Sequence, residues 1–179
     1  MAKSYRLEVL HRLRTLLRGI TLDAGFDHDL SENVFCGRAL FGDSDPIPMV
    51  SILESTKVDG GVAAGYNDEM RKGLWPLIVQ GWVENDLINP TDPAYNLMAD
   101  VEAMLGRVLT ASANTGNPTY PEAYMLGTGN SGKGYLIAGI SFGPGVVSPP
   151  REQISTNAFF FLPVYITLAE KLGQPYYTV

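Results

Sequence analysis

The 179-residue sequence predicts an α+β fold: a mainly antiparallel or mixed β-sheet flanked by two main α-helices, in a single compact domain with long loops. Three observations predict it. Apolar residues recur three or four apart in two separate runs, near the N-terminus and after residue 90. Four other segments have strand composition, and the resulting order of helix, strands, helix, strands is that of an α+β chain. The length suits one domain of about 100–200 residues, with no internal repeat and no interdomain linker in the sequence.

The first helix is expected over residues 4–18, from Leu7, Leu10, Leu13, Leu16 and Leu17 at helical spacing, with Gly19 as its stop. A turn-rich stretch follows, with a short extended piece near Val34–Phe41. MVSILES (49–55) reads as a strand, and residues 56–72 as a loop broken by Gly60, Gly61 and Gly65 and ending in Arg71-Lys72. In GLWPLIVQGWVEN (73–85), Trp75, Leu77 and Val79 alternate against Pro76, Ile78 and Gln80. Proline cannot donate to a sheet ladder, which puts Pro76 near a strand start or an edge. Thr91 or Asp92 suits the N-cap of a second helix and Pro93 its first position. Ala94, Leu97, Met98, Val101, Leu105 and Val108 give that helix one apolar face. Residues 111–134 read as a long polar connection, a length that in compact domains is usually functional or disordered. Two more strands are expected, YLIAGISF (135–142) and AFFFLPVYITLA (158–169), with a Pro/Gly-rich loop between them.

Hydrophobic residues make up 45% of the chain and charged residues 18%, which marks it as globular. The net charge of −6 disfavours a general nucleic-acid binder, whose affinity comes from neutralising phosphates. Lys3, Arg6, Arg12, Arg14 and Arg18 nevertheless concentrate positive charge in the first eighteen positions. His11, Arg14 and Arg18 share a helical face that is either solvated or docked on an acidic neighbour. Cys36 is alone, so no intramolecular disulfide forms. The N-terminus lacks the apolar stretch of a signal peptide, and no apolar run reaches the ~20 residues of a membrane span. A soluble protein made in a reducing cytoplasm is expected.

GTGNSGKG (Gly127–Gly134) nearly spells a nucleotide-binding loop, but Gly134 stands where the Mg²⁺-binding hydroxyl belongs. The strand-like run after it replaces the helix whose N-terminus would hold phosphates. GISFG (Gly139–Gly143) matches a nucleophile elbow around Ser141. The Gly143-Pro144-Gly145 that follows opposes a helix, and both histidines precede the serine. His11, His28 and Cys36 do not make a familiar zinc set, and Asp27-His28-Asp29, like Asp43 and Asp45, suits turn chemistry. No catalytic set, metal site or cofactor is expected. Strand alternation sends Phe160 to one sheet face and Phe159 and Phe161 to the other. That second face is either covered by the chain's own loops or an interface.

The segments RLEVLHRLRTLLRGIT, VFCGRALFGDSDPIPMVSILES and LIVQGWVENDLINPTDPAYNLMADVEAML, with the C-terminal GPGVVSPPREQISTNAFFFLPVYITLAEKLGQPYY, resemble the small neck proteins of tailed bacteriophages, most nearly the tail terminator (tail completion) proteins. The resemblance implies a non-enzymatic virion protein made in the host cytoplasm. It implies a ring, typically hexameric, that caps the tail tube and joins it to the head connector. Implied partners are further copies of the chain, the tail tube protein, and the connector or stopper protein, with the lumen left for DNA and no sequence-specific nucleic-acid contact. A stopper or adaptor at another neck position, or a small nucleotide-binding enzyme built on Gly127–Gly134, are the alternatives. The family supplies no signature of binding residues. From the sequence itself, the candidate interface comprises Arg14 and Arg18 on the first helix, Arg71, Lys72 and Lys133 in the long loops, and Tyr176 and Tyr177 as C-terminal anchors.

Overall fold

The structure, a computed structural model, describes residues 3–42, 44–55, 69–114, 137–151, 156–173 and 176–177. In chain order the elements are β1 (Lys3–Ser4), α1 (Tyr5–Leu17), β2 (Val34–Cys36), β3 (Met49–Glu54), β4 (Met70–Val83), α2 (Asp92–Asn114), β5 (Ile137–Phe142), β6 (Val146–Ser148), β7 (Ala158–Lys171) and β8 (Tyr176–Tyr177). The main sheet runs β2-β3-β4-β7-β5, with β6 also pairing β7. Among the described residues only β2 and β3 run parallel; the other pairs are antiparallel. The α+β class with two helices on a mixed sheet is as the sequence predicts, in one compact unit.

β4 and β7 form the spine, paired without interruption from Met70↔Lys171 to Val83↔Ala158. Two prolines inside this spine explain the shape around it. The Pro76 carbonyl accepts from Ser55 N–H at 3.1 Å, so its missing donor faces the β3 side, where β3 ends at Glu54↔Leu77. The Pro163 carbonyl accepts from Gly143 N–H at 2.9 Å. Its missing donor thus faces the Gly143–Gly145 break that separates β5 from β6. Each proline lies where the neighbouring strand stops, which is what the lack of a ladder donor demands.

Both helices cover one face. α1 is capped by Ser4, whose Oγ accepts from Leu7 N–H at 3.2 Å, and buries Val9, Leu13 and Leu17. Leu7, predicted on the apolar stripe, is exposed, because two residues before Val9 is 200° around a helix that turns 100° per residue. α2 buries Ala94, Leu97, Met98, Val101, Met104 and Leu105, the predicted face as far as Leu105 with Met104 added; the Val108 side chain lies outside the described residues. It starts at Asp92, so Pro93 takes the second helical position, where its N–H would still lack an intrahelical partner. On the sheet, Trp75, Leu77, Val79, Phe160, Leu162, Val164, Ile166 and Leu168 face the helices in one core. Leucine-rich helix faces against alternating strand residues supply the hydrophobic driving force.

Several boundaries differ from those predicted. α2 continues through residues 111–114, since no residue between Arg107 and Asn114 breaks a helix. β4 begins at Met70, within the stretch predicted as loop, because the far end of β7 continues to Lys171 and offers a partner. β2 stops at Cys36, ahead of Gly37 in the left-handed region (φ 76°), a conformation that favours glycine. β6 and the short β1–β8 pair are additional.

Candidate assembly interface

The predicted interface residues fall into three places. Arg14 in the last turn of α1 and Arg18 at its C-cap lie beside β2, the strand at one edge of the sheet. Their charges act jointly on Cys36, whose thiol hydrogen reaches the Leu10 carbonyl (Sγ to O 3.7 Å). Burial pushes the Cys36 pKa up, against the smaller opposing pull of Arg14 and Arg18. The Nε of each arginine is out of contact with solvent and has no hydrogen-bond partner. Arg18 reaches the Glu32 carbonyl at 3.4 Å and the Glu32 carboxylate at 4.0 Å, but that carboxylate is largely in water. This face is therefore only partly compensated.

Arg71 and Lys72 are not in a loop. They belong to β4, opposite Glu170 and Ala169 of β7, in a two-stranded extension that β3 does not reach. Tyr176 and Tyr177 form β8, antiparallel to Lys3–Ser4, so the C-terminal segment is tied to the entry of α1. Lys133 and the whole of Gly127–Gly134 lie outside the described residues, as does most of the predicted 111–134 connection.

The outer sheet face is the second candidate surface. Part of it is closed by the chain itself. Met49, Trp82 and Phe159 form a buried cluster with Phe35 and Phe41 packed on it, and Phe41 stacks on Trp82 at 5.7 Å between ring centres. The 37–48 segment that brings Phe41 there is pinned at several points. Asp45 pairs with Arg38 at 2.6 Å and accepts from Gly42 N–H at 2.9 Å, Arg38 N–H donates to Ser51 Oγ at 3.1 Å, and the Arg38 guanidinium lies 3.9 Å from the Phe35 ring centre. Elsewhere this face stays open, with Phe161, Leu74 and Val146 exposed. The chain's own 37–48 segment thus covers one part of this face and leaves another part exposed.

The most exposed apolar side chains were not among the residues predicted. Leu87 is 93% exposed, Ile88 85% and Leu40 84%. Leu87 and Ile88 project from the turn between β4 and α2. Asp86 Oδ1 holds that turn by accepting from the N–H groups of Ile88 and Asn89, both at 2.7 Å. These hydrogen bonds, Asn89 first, hold the Asp86 pKa below the ordinary aspartate value. The folded-state value is depressed, so the support is complete above the unfolded value of about 3.9 and is lost as pH falls through the lower folded value. The amide resonances of Ile88 and Asn89 are expected to stay fixed from neutral pH down to about 4 and to move together below it. A shared midpoint above that value would contradict this geometry.

Ser141 is exposed on β5, and the chain continues into β6 rather than into a helix. His28 and Asp100 do form a pair, Nδ1 to Oδ2 at 2.8 Å, and the same oxygen accepts from the N–H groups of Asp27 and His28 at 3.2 and 3.1 Å. With one carboxylate oxygen collecting three contacts, the pair clasps the 26–30 segment to α2. Among the described residues, no three His, Cys, Asp or Glu side chains converge as metal ligands, and no helix is long and apolar enough to cross a membrane. Compared with protein-family models and with curated proteins, the chain matches none.

The thiol gives a simple check on the α1–β2 edge. Cys36 in the folded protein should react with iodoacetamide near neutral pH about tenfold or more slowly than glutathione, since only the thiolate attacks and burial suppresses it. Urea unfolding should restore the free-thiol rate. Equal rates in the native protein would mean that the two arginines outweigh burial.

Proposed function

We propose that this chain is a structural virion protein of a tailed bacteriophage, forming a ring that terminates the tail tube and joins it to the head connector. The observation that carries the reading is the set of large apolar side chains held in water on pinned turns: Leu40, Leu87 and Ile88. Leu87 and Ile88 are adjacent on one turn, and exposed apolar surface that is contiguous marks association sites. The pinning is visible in the Asp45 and Asp86 hydrogen bonds. The open part of the outer sheet face adds Phe161, Leu74 and Val146. The placing in the phage neck rests on the sequence resemblance, which spans α1, the β2–β4 region, α2 and the C-terminal strands.

The deciding experiment removes the gene from the phage and examines the particles by electron microscopy. A terminator predicts headless tails with tubes well beyond normal length, because nothing stops polymerisation. Tails of normal length that fail to attach to filled heads would assign the chain to the joining step, as a stopper or adaptor. Normal infectious particles would remove it from the neck altogether.

A further inference from the structure

We propose that the β4–α2 turn of one copy seats on the α1–β2 edge of a second copy. Leu87 and Ile88 would cover the apolar border of that edge, and the carboxylates beside them would meet Arg14 and Arg18. The inference rests on the ring reading above and names a contact that closes the ring.

The two surfaces complement each other in charge. The turn carries Glu84, Asp86 and Asp92, all exposed, and none has a cation partner among the described residues. The α1–β2 edge carries the opposite deficit. The Arg14 side chain has neither a carboxylate nor a hydrogen-bond partner among the described residues, and its Nε, like that of Arg18, is shielded from solvent without an acceptor. A shielded N–H lacking an acceptor is unfavourable, and both arginines remain part-exposed, so an incoming carboxylate can meet the solvent-facing side of each guanidinium in a charge-assisted bond. In a chain of net charge −6, a cationic edge that is only partly compensated is a selective target for an anionic knob.

Shape and order favour the same match. Asp86 holds Leu87 and Ile88 outward before contact, so docking them costs little further backbone ordering. Leu10 and Cys36, half-buried against the core, give the edge an apolar floor between the helix and β2. The donor turn and the acceptor edge belong to different elements of the fold, so each copy can give with one and receive with the other. Such heterologous contacts repeat around a closed ring.

The test uses the full-length chain, followed by native mass spectrometry and sedimentation velocity over a concentration and salt series. Wild type is expected to form rings that loosen with added salt. Leu87→Ser/Ile88→Ser should raise the half-dissociation concentration by about tenfold or more with an unchanged melting temperature, because both side chains are in water in the monomer. Arg14→Glu/Arg18→Glu should also dissociate the ring, and adding Glu84→Lys to that chain should restore it. Wild-type rings matched by Leu87→Ser/Ile88→Ser rings of equal stability would overturn the contact and leave the ring reading intact. A wild type that stays monomeric at every concentration, and also on isolated tail tubes, would overturn both. Variant rings of full stability that no longer cap tubes would assign the turn to the tube protein and overturn this proposal.

Discussion

Phe160→Ala is expected to lower stability by about 3–5 kcal/mol, the usual cost of removing a buried aromatic ring and leaving its cavity. Against a total of roughly 5–15 kcal/mol, that is a large share. In a chain of this size it corresponds to a fall of roughly 6–20 °C in melting temperature. Phe160 is fully buried and sits in register with Gly81 of β4 on one side and Val147 of β6 on the other. A side chain at Gly81 would fall inside the Phe160 ring, so the glycine exists to make room for the aromatic. This yields a second, sharper outcome. Gly81→Ala alone should destabilise by about 1–3 kcal/mol through overpacking. In the Phe160→Ala background the new methyl has space, so the double variant should be less destabilised than the sum of the singles. A non-additive cycle is the signature of direct contact. Strict additivity, or a Phe160→Ala variant that melts with wild type, would mean that the ring does not occupy the space over Gly81.

What was legible in the sequence was what local periodicity encodes. The buried face of α2 could be written out from Ala94 to Leu105 because its spacing repeats for several turns. Trp75, Leu77 and Val79 declared their common face by alternation. Elements that exist only through a distant partner were invisible. β6 is three residues between Gly-Pro-Gly and Pro-Pro, and it is a strand because Phe159–Phe161 of β7 lie beside it. Met70–Lys72 carry no apolar alternation that extends past Leu74, yet β7 pairs with them to its end. The His28–Asp100 clasp joins residues 72 apart in the chain, which no window of sequence displays.

The candidate interface was legible only in part, for a related reason. Clustered arginines on α1 stand out in a string of letters, and the structure keeps Arg14 and Arg18 on one face beside an edge strand. Arg71 and Lys72 were misplaced because the glycines before them look like a loop that continues. Leu87 and Ile88 were missed although a signal was present. They are two adjacent aliphatic residues inside NDLINPTDP, a run otherwise made of turn formers. Apolar residues without helical or strand period, bracketed by Asp86 and Pro90, have no core face to join. Their exposure follows from that.

Trp82→Ala should cost about 3–5 kcal/mol as well, but with a different local consequence. Trp82 is buried on the outer sheet face, level with Met49 of β3 and Phe159 of β7, and its ring carries Phe41. Losing it removes the floor on which the 37–48 segment rests, so that segment should open before the rest of the sheet. Arg38 lies in this segment and provides a protease site, with its guanidinium engaged by Asp45 and the Phe35 ring. Trypsin should therefore cut after Arg38 faster in Trp82→Ala than in wild type under native conditions. Phe41→Ala separates the two effects. It forfeits a stacking contact worth about 0.5–1.5 kcal/mol beyond its area, while leaving Trp82 in place. It should expose Arg38 with only a small change in melting temperature. If Trp82→Ala melts with wild type and Arg38 stays protected, the aromatic cluster does not hold the segment. Because this segment presents Leu40 to solvent, its release should also weaken any assembly that uses Leu40, even though residue 40 itself is unchanged. A cluster on the outer sheet face would then be a structural requirement of the surface that presents Leu40, acting through the order of one pinned loop.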